Sequence, residues 1–191
     1  MGGFMLQFNI PRGRRILILL IAGLILSACT TVQARLSLTP YTQDKQKRNA
    51  VELIAENYCR KKRNYRGAME ASKSPDFIFT TDGCSRAPDG GWAACCVAHD
   101  IAYWCGGSAA DREEADQFLR QCVNKQVPVI GSLYYAGTRL GGMPWLPTPW
   151  RWGYGWKEWP HGYEALEHSP SVTKLLESLR VKQIVQEQLQ K

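Results

Sequence analysis

Hydrophobic residues recur every three or four positions in several parts of the chain, which is the spacing of one face of an α-helix. One such stretch follows Asp44, a residue type that caps helices, and runs to about Tyr58. A second covers residues 91–107 and ends at a Gly-Gly pair of the kind that terminates helices. A third begins at Ser108, and a last one lies in residues 169–190. The pattern therefore predicts an all-α protein.

The second predicted helix carries the most distinctive residues of the chain. At about 100° per residue, Trp92, Cys95, His99 and Tyr103 lie within one narrow stripe. Asp100 lies a quarter turn from His99, so both side chains can line one pocket. A histidine titrates near neutral pH and can accept a proton from water. A carboxylate beside it can hold a hard cation, which prefers oxygen ligands.

The third predicted helix carries a carboxylate that can reach this histidine. Ser108 is expected to cap the helix, and acidic residues follow in its first turns. Asp116 lies at the edge of its apolar stripe. If the two helices pack antiparallel, Asp116 can hydrogen-bond to His99, fix its tautomer and stabilise its imidazolium form. The alternative is an exposed helix carboxylate, and the position of Cys122 on the same helix favours the functional role.

The cysteines indicate an exported protein with disulfides. Seven cysteines are present, and one of them, Cys29, belongs to an N-terminal signal. The other six form an even set, which in an exported chain predicts three disulfides with several possible connectivities. A zinc site is the alternative, but adjacent cysteines chelate zinc poorly. The six are Cys59, Cys84, Cys95, Cys96, Cys105 and Cys122.

The N-terminus resembles a bacterial lipoprotein signal. Residues 1–28 have a basic start and an apolar run at positions 16–26 that is too short to favour a membrane span. The sequence Leu-Ser-Ala-Cys then ends at Cys29, as in a lipobox, which implies a lipid on that cysteine. Threonine rather than aspartate at position 30 predicts the outer membrane of a Gram-negative envelope, on its periplasmic face. An ordinary signal peptide or an uncleaved anchor is the alternative.

The net charge of the chain does not identify the kind of surface to which it binds. Removing the first 28 residues, with their three arginines, from the 191-residue chain of charge +7 leaves 163 residues and a charge of +4. A moderate positive charge favours anionic surfaces, and no nucleic-acid module is recognisable. The basic run at residues 60–66 is either a solvated face or a contact with anionic lipid head groups.

Two segments are expected to be irregular. Residues 74–91 contain a short extended piece at 77–81 and strong turn signals at 82–85 and 88–91. Residues 125–163 hold five tryptophans within 15 positions, and prolines among them exclude a continuous helix. These indoles either cover the helical core or form a surface for the membrane interface. His161 and His168 are interpreted as surface residues.

Residues 95–100, Cys-Cys-Val-Ala-His-Asp, together with Tyr103, resemble the active-site helix of secreted phospholipases A2. The resemblance extends to Ala115, Asp116 and Cys122, and it covers roughly residues 77–123. The short gap between the two helices is similar to the compact bacterial and viral members of that superfamily. The resemblance implies a disulfide-linked antiparallel helix pair, here with an irregular Trp/Pro-rich extension and a C-terminal amphipathic helix.

The resemblance also implies a set of site residues. His99 would be the general base and Asp116 its orienting partner, while Trp92 and Tyr103 would line the substrate pocket. Calcium would be held by Asp100 and by loop oxygens, although the spacing of glycines and cysteine in the loop departs from that of the animal enzymes. The loop candidates are Gly83 and, more weakly, Thr81 and Ser85. The family's second pocket tyrosine has no counterpart by position, and Tyr134 or Tyr135 is expected to supply it.

The implied disulfides join Cys95 to Cys122 and Cys84 to Cys96, with Cys59 and Cys105 as the remaining pair. The expected organisation is a signal peptide at 1–28, a tether at 29–43, a phospholipase A2-like helical domain with its Trp/Pro-rich cover at 44–163, and an amphipathic helix at 164–191. That last helix is expected to dock on the core or on a protein partner.

Two functions follow from these expectations. The first is calcium-dependent hydrolysis of glycerophospholipid acyl esters at the bacterial envelope, with the phospholipid membrane as the partner and substrate. The second is a non-catalytic envelope lipoprotein that uses the same scaffold to bind lipid or a protein. The residues His99, Asp100 and Asp116 favour the enzyme, whereas the altered loop and the Trp-rich segment favour the binding protein.

The lipoprotein signal predicts the outcome of one substitution. Changing Cys29→Ser should leave an uncleaved precursor that no longer incorporates radioactive palmitate, because the thiol is the attachment point. Metabolic labelling followed by electrophoresis measures both effects. Unchanged labelling of the variant would rule out lipidation at Cys29.

Overall fold

The computed structural model describes residues 43–63, 74–166 and 169–190, and in these ranges the chain is all-α, as predicted. A short 3-10 turn at Gly90–Trp92 precedes the second helix, and no strand is present in the described ranges. All described residues fall in one compact unit. The described ranges contain six helices: α1 Lys45–Arg63, α2 Ala93–Cys105, α3 Ala109–Asn124, α4 Ile130–Gly141, α5 Val172–Ser178 and α6 Val181–Gln190.

Helix α2 lies at the centre of the structure. All 13 of its residues are buried, and it contacts α1, α3 and α6. A helix that is apolar on all sides requires partners on all sides, and the alanines of α2 allow those partners to approach closely. The helix ends where Gly106 takes a left-handed φ of 76° and donates its N–H to the Ala102 carbonyl at 3.0 Å. The helix that carries His99 is therefore the best-surrounded element of the fold.

Helix α3 begins with the cap expected from the sequence. The Ser108 hydroxyl accepts a hydrogen bond from the Asp111 N–H at 3.1 Å, and the Asp111 carboxylate accepts one from the Ser108 N–H at 2.9 Å. This reciprocal pair satisfies two backbone donors at the start of the helix. The cap fixes where α3 starts and thereby the register of Asp116 along it.

Three disulfides hold α2 to its surroundings. Cys59 of α1 joins Cys105, Cys84 of the preceding loop joins Cys96, and Cys122 of α3 joins Cys95. This is the pairing that the resemblance implies. Each bond restricts the unfolded chain, and all three end on the same helix. The disulfides thus fix both neighbouring helices and the loop before α2 relative to His99.

Helix α1 is longer than expected and includes part of the basic run. Lys62 is buried, and its Nζ lies 2.5 Å from both Asp111 Oδ1 and the Pro170 carbonyl. Arg63 pairs with Glu164 at 2.5 Å and lies over the Trp156 ring. Both interpretations of the run, a solvated face or a lipid contact, are therefore wrong for Lys62 and Arg63. Residues 64–66 lie outside the described ranges.

Helix α4 was not expected from the sequence, which predicted an irregular segment over residues 125–163. Its glycines lower helix propensity, so the local signal is weak. One of them allows close packing on α3, because a Cβ at Gly131 would lie 2.2 Å from the Arg120 carbonyl oxygen. Packing on α3 therefore stabilises a helix that the local sequence favours only weakly.

The tryptophans after α4 are divided between core and surface. Trp152 and Trp156 are buried, and their indole N–H groups donate to the carbonyls of Gly107 at 3.0 Å and Cys105 at 2.8 Å. These indoles satisfy carbonyls at the C-terminal end of α2, so they cover the helical core, which is one of the two roles predicted for the tryptophans. Trp145 and Trp159 are 51% and 53% exposed. His161 is partly buried and stacks on Trp156, so it is not a simple surface residue.

The C-terminal segment forms two helices rather than one. Arg180 takes a left-handed φ of 52° between α5 and α6, which breaks the helical path. Both helices pack on the core through buried apolar residues, namely Val172, Leu175, Leu176, Val181 and Val185. No helix in the described ranges is long and apolar enough to cross a membrane. The signal peptide, Cys29 and His168 lie outside those ranges.

The buried Lys62 provides a stability test. Lys62→Met should lower the free energy of unfolding by about 3 kcal/mol, because the Asp111 carboxylate would lose its buried partner. The matched control is Lys61→Met, which changes an exposed neighbour in the same helix. Urea unfolding of the non-reduced protein, followed by circular dichroism, measures both. Equal stability of the two variants would contradict a structural role for Lys62.

Candidate active site

A cavity of about 620 Å³ lies between α2, α4 and the loop that precedes α2. Most of its lining is apolar. His99, Asp100 and Tyr103 line it from α2, and Trp92 lines it from the turn before that helix. The Trp92 indole donates to the Tyr134 hydroxyl at 3.1 Å, which joins the start of α2 to α4. The pocket residues predicted from the sequence therefore share one cavity.

His99 is held by a single short contact from α3. Its Nε2 lies 2.8 Å from Asp116 Oδ1, whereas its Nδ1 lies 3.8 Å from Asp100 Oδ1. An ionised carboxylate can only accept a hydrogen bond, so Nε2 carries the proton in the neutral ring. Nδ1 is then the nitrogen with a free lone pair, and it can accept a proton.

The charges around the imidazole favour its protonated form. Burial opposes the charge on His99, but the carboxylates of Asp100 and Asp116 outweigh this and raise its pKa. Burial acts to raise the pKa of Asp116, but hydrogen bonds from His99, Arg139 and Tyr103 lower it overall. Burial raises the pKa of Asp100. Asp116 is therefore kept ionised beside a ring that gains stability when it takes a proton.

Asp116 is completely buried, with an exposed fraction of 0%. Such a carboxylate needs hydrogen bonds and a compensating charge. The Tyr103 hydroxyl donates to its Oδ1 at 2.8 Å, and Arg139 Nη1 donates to its Oδ2 at 2.8 Å. With His99, these groups satisfy both oxygens. The interpretation of Asp116 as an exposed helix carboxylate is therefore wrong.

Of the two tyrosines considered for the second pocket position, Tyr134 lines the larger cavity and Tyr135 does not. The Tyr134 hydroxyl donates to the Pro88 carbonyl, and the Tyr135 hydroxyl donates to Glu113. Arg139 of α4, rather than either tyrosine, donates to Asp116. The sequence contains no signal for this contact, since Arg139 belongs to a helix that was not predicted.

A second arginine completes the network. Arg112 is buried and donates from Nε to the Tyr103 hydroxyl at 3.1 Å. Its Nη2 donates to the carbonyls of Thr138 and Arg139, both at 2.8 Å. Arg112 thus joins α3 to the last turn of α4 and holds the backbone of Arg139. No pattern in the sequence points to Arg112.

The residues predicted to bind a cation lie together beside Asp100. The Thr81 hydroxyl donates to Asp100 Oδ2 at 2.6 Å and accepts from the Gly83 N–H at 3.0 Å. The Ser85 hydroxyl donates to Asp82 Oδ1 at 2.6 Å. A smaller cavity of about 250 Å³ is bordered by Thr81, Asp82, Ser85 and Asp100. Asp82 is a further oxygen donor, which the sequence pattern indicated only as part of a turn.

The donor chemistry at this smaller cavity suits a hard cation. Within the described ranges, no three His, Cys, Asp or Glu side chains are grouped as a metal site. The carboxylates of Asp82 and Asp100 nevertheless border the cavity together with the hydroxyls of Thr81 and Ser85. Oxygen donors of this kind are those that Ca²⁺ uses, with backbone carbonyls and water completing its shell. The residues present therefore fit calcium.

The structure brings the predicted site residues into one region. His99 and Asp100 line the larger cavity, Asp116 lies buried behind His99, and the loop residues adjoin Asp100. What the sequence did not provide is the supporting set of Arg112, Arg139 and Asp82. Comparison of the chain with protein-family models, with curated proteins and with solved structures finds no match in any of the three.

Proposed function

We propose that this chain is a calcium-dependent hydrolase of glycerophospholipid acyl esters at the bacterial envelope. One observation carries the proposal. The imidazole of His99 is bonded through Nε2 to a buried carboxylate and lines a largely apolar cavity beside a second carboxylate, Asp100. A base held in one tautomer next to space for an apolar chain is the arrangement that ester hydrolysis of a lipid requires.

His99 would act first as a base and then as an acid. Its Nδ1 takes a proton from water as the water oxygen bonds to the ester carbonyl carbon. The bond to the leaving alcohol oxygen then breaks, and the imidazolium returns the proton to that oxygen. The products are a fatty acid and a lysophospholipid. Asp116 keeps the ring in the productive tautomer and stabilises the imidazolium, and Arg139 and Tyr103 hold Asp116.

Calcium would be held by Asp100 with oxygens from the adjoining loop. The candidates at the border of the smaller cavity are Thr81, Ser85 and Asp82. Gly83, the other loop candidate, lines the larger cavity. When bound, such a cation supplies positive charge that stabilises the oxyanion formed on the ester carbonyl. The Thr81 hydroxyl donates to Asp100 Oδ2 and so restrains the carboxylate beside the smaller cavity.

The larger cavity suits an acyl chain. Apolar groups dominate its lining, and α4 forms one wall through residues such as Ile130 and Leu133. Gly137 also lines it, and a Cβ at that position would have no other atom within 4 Å. Removing a chain of methylenes from water into such a space is favourable by about 0.8 kcal/mol per buried methylene.

The helix arrangement agrees with the phospholipase A2 resemblance. Cys95 contacts Cys122 and His99 contacts Asp116, so the start of α2 lies beside the end of α3. We infer an antiparallel pair of the phospholipase A2 type, in which Arg139 of α4 also donates to Asp116. A lipid at Cys29 would keep the protein at the outer membrane, on the periplasmic face, beside its substrate.

The alternative function is a lipoprotein that binds lipid without cleaving it. The apolar side chain of Leu133, which lines the cavity and is 65% exposed, favours contact with lipid in either case. A protein partner at the C-terminal helices has less support, because their apolar residues are already buried in the core.

The decisive variant is His99→Gln. Glutamine keeps a hydrogen-bond donor and similar size but cannot accept a proton near neutral pH. Fatty-acid release from phospholipid vesicles with calcium should fall by about 10²-fold or more, the typical contribution of a general base. Near-ultraviolet circular dichroism verifies that the variant is folded, and chelation of calcium should abolish release by the wild-type protein. Absence of release by the wild type, or equal release by the variant, would exclude the enzyme.

A second variant tests the cavity. Gly137→Trp should place an indole in the acyl space without steric conflict at the backbone. Loss of even two buried methylenes would lower hydrolysis of long-chain phospholipids about tenfold or more. Hydrolysis of a short acetyl ester should change much less. The matched control is Ala136→Trp, at an exposed neighbour that does not line the cavity. If both variants behave alike, the cavity does not hold the chain.

A further inference from the structure

The larger cavity is lined by a basic side chain, Arg86. Within the part of the chain that the structure describes, Arg86 is the one lysine or arginine among the cavity-lining residues. Its guanidinium lies 5.1 Å from the centroid of the Trp150 ring, and Trp150 lines the same cavity. Stacking on an indole restricts where the guanidinium can move. The cavity therefore combines apolar walls with one oriented positive charge.

The backbone that carries Arg86 is held in place from two sides. Cys84 is bonded to Cys96 of α2, and the Ala87 N–H donates to the Cys84 carbonyl at 3.0 Å. Arg86 itself has a left-handed φ of 60°, a conformation that residues with side chains rarely adopt. The disulfide and the turn hold this conformation, and such uncommon backbone conformations cluster at ligand-binding sites.

Arg86 differs from the other arginines around the site. Arg139 pairs with Asp116, Arg112 donates to Tyr103, and Arg63 pairs with Glu164. None of the ion pairs between described residues involves Arg86. A guanidinium without an acidic partner can bind an anion through parallel hydrogen bonds, and phosphate matches that geometry well.

We propose that Arg86 binds the anionic head group of a phospholipid whose acyl chain occupies the larger cavity, so that the protein prefers lipids of net negative charge. The inference rests on the proposed function for the nature of the ligand. The cavity separates three kinds of contact: Asp100 for a cation, the apolar wall of α4 for the chain, and Arg86 for the phosphate end. A zwitterionic head group brings its own cation next to Arg86 and binds less well.

The test uses lipids that cannot be hydrolysed. The full chain is mixed, in nonionic detergent micelles, with ether-linked phosphatidylglycerol or with ether-linked phosphatidylcholine at equal mole fraction. Each lipid carries a photoreactive diazirine on one of its alkyl chains. After illumination, mass spectrometry measures labelling of the peptide that contains α4. The detergent dilutes both lipids equally, so the ratio of labelling reports the head group. Because the preference depends on one exposed charge pair, we expect phosphatidylglycerol to label the α4 peptide about fivefold more than phosphatidylcholine does.

Three variants identify the source of that ratio. Arg86→Asn should bring the ratio close to one, and asparagine tolerates the left-handed backbone. Arg86→Lys should keep part of the preference, because the charge remains. The matched control is Arg120→Asn, which removes another exposed arginine that lies over an aromatic ring, Tyr135, but does not line the cavity. It should keep the wild-type ratio.

A further measurement needs no variant. Rising salt should reduce the preference of the wild-type chain for phosphatidylglycerol, because salt screens the charge of Arg86. Equal labelling by both lipids, absence of labelling on α4, or an unchanged ratio in Arg86→Asn would each overturn the proposal. So would an equal loss in Arg120→Asn, which would indicate a general charge effect. Ether lipids make the result independent of His99. Failure to release fatty acid would therefore exclude the enzymatic function but would not contradict the head-group site.

Discussion

The burial of α2 on all sides is the constraint on which the rest of the structure depends. A helix that exposes no face cannot be stabilised by one partner, so α1, α3, α6 and two buried indoles surround it. Every disulfide ends on it, which fixes its position relative to two helices and one loop. His99 is thereby held at a fixed distance from Asp116, as its proposed role as a proton acceptor requires.

The second constraint is the buried charge of Asp116. A carboxylate without solvent needs donors on both oxygens, and His99, Tyr103 and Arg139 provide them from two helices besides its own. Arg112 supports this arrangement by holding the backbone at the end of α4. The same contacts that make the carboxylate tolerable also orient the imidazole, so the stability of the core and the geometry of the site have one cause.

Helix α4 connects the buried network to the cavity. One of its faces supplies Arg139 to Asp116, and residues including Gly137 form the wall of the apolar space. Its tight contact with α3 depends on Gly131. The loop before α2 closes the other side and carries Asp82 and Arg86, two charges of opposite sign at the borders of the two cavities. Apolar, anionic and cationic contacts are thus separated around one histidine.

The sequence by itself determined the features that depend on local signals. Apolar periodicity located the helix of His99, a capping serine located the start of α3, and the even number of cysteines indicated three disulfides. Their pairing was implied only by the phospholipase A2 resemblance. Tertiary structure decided the existence of α4, the contact of Arg139 with Asp116, the burial of Lys62 and the break at Arg180. The physical reason is the distance along the chain over which each interaction acts. Caps and periodicity act between neighbours in the chain, whereas helix α4, whose glycines weaken its local signal, and a buried ion pair acquire their stability only from residues that packing brings together.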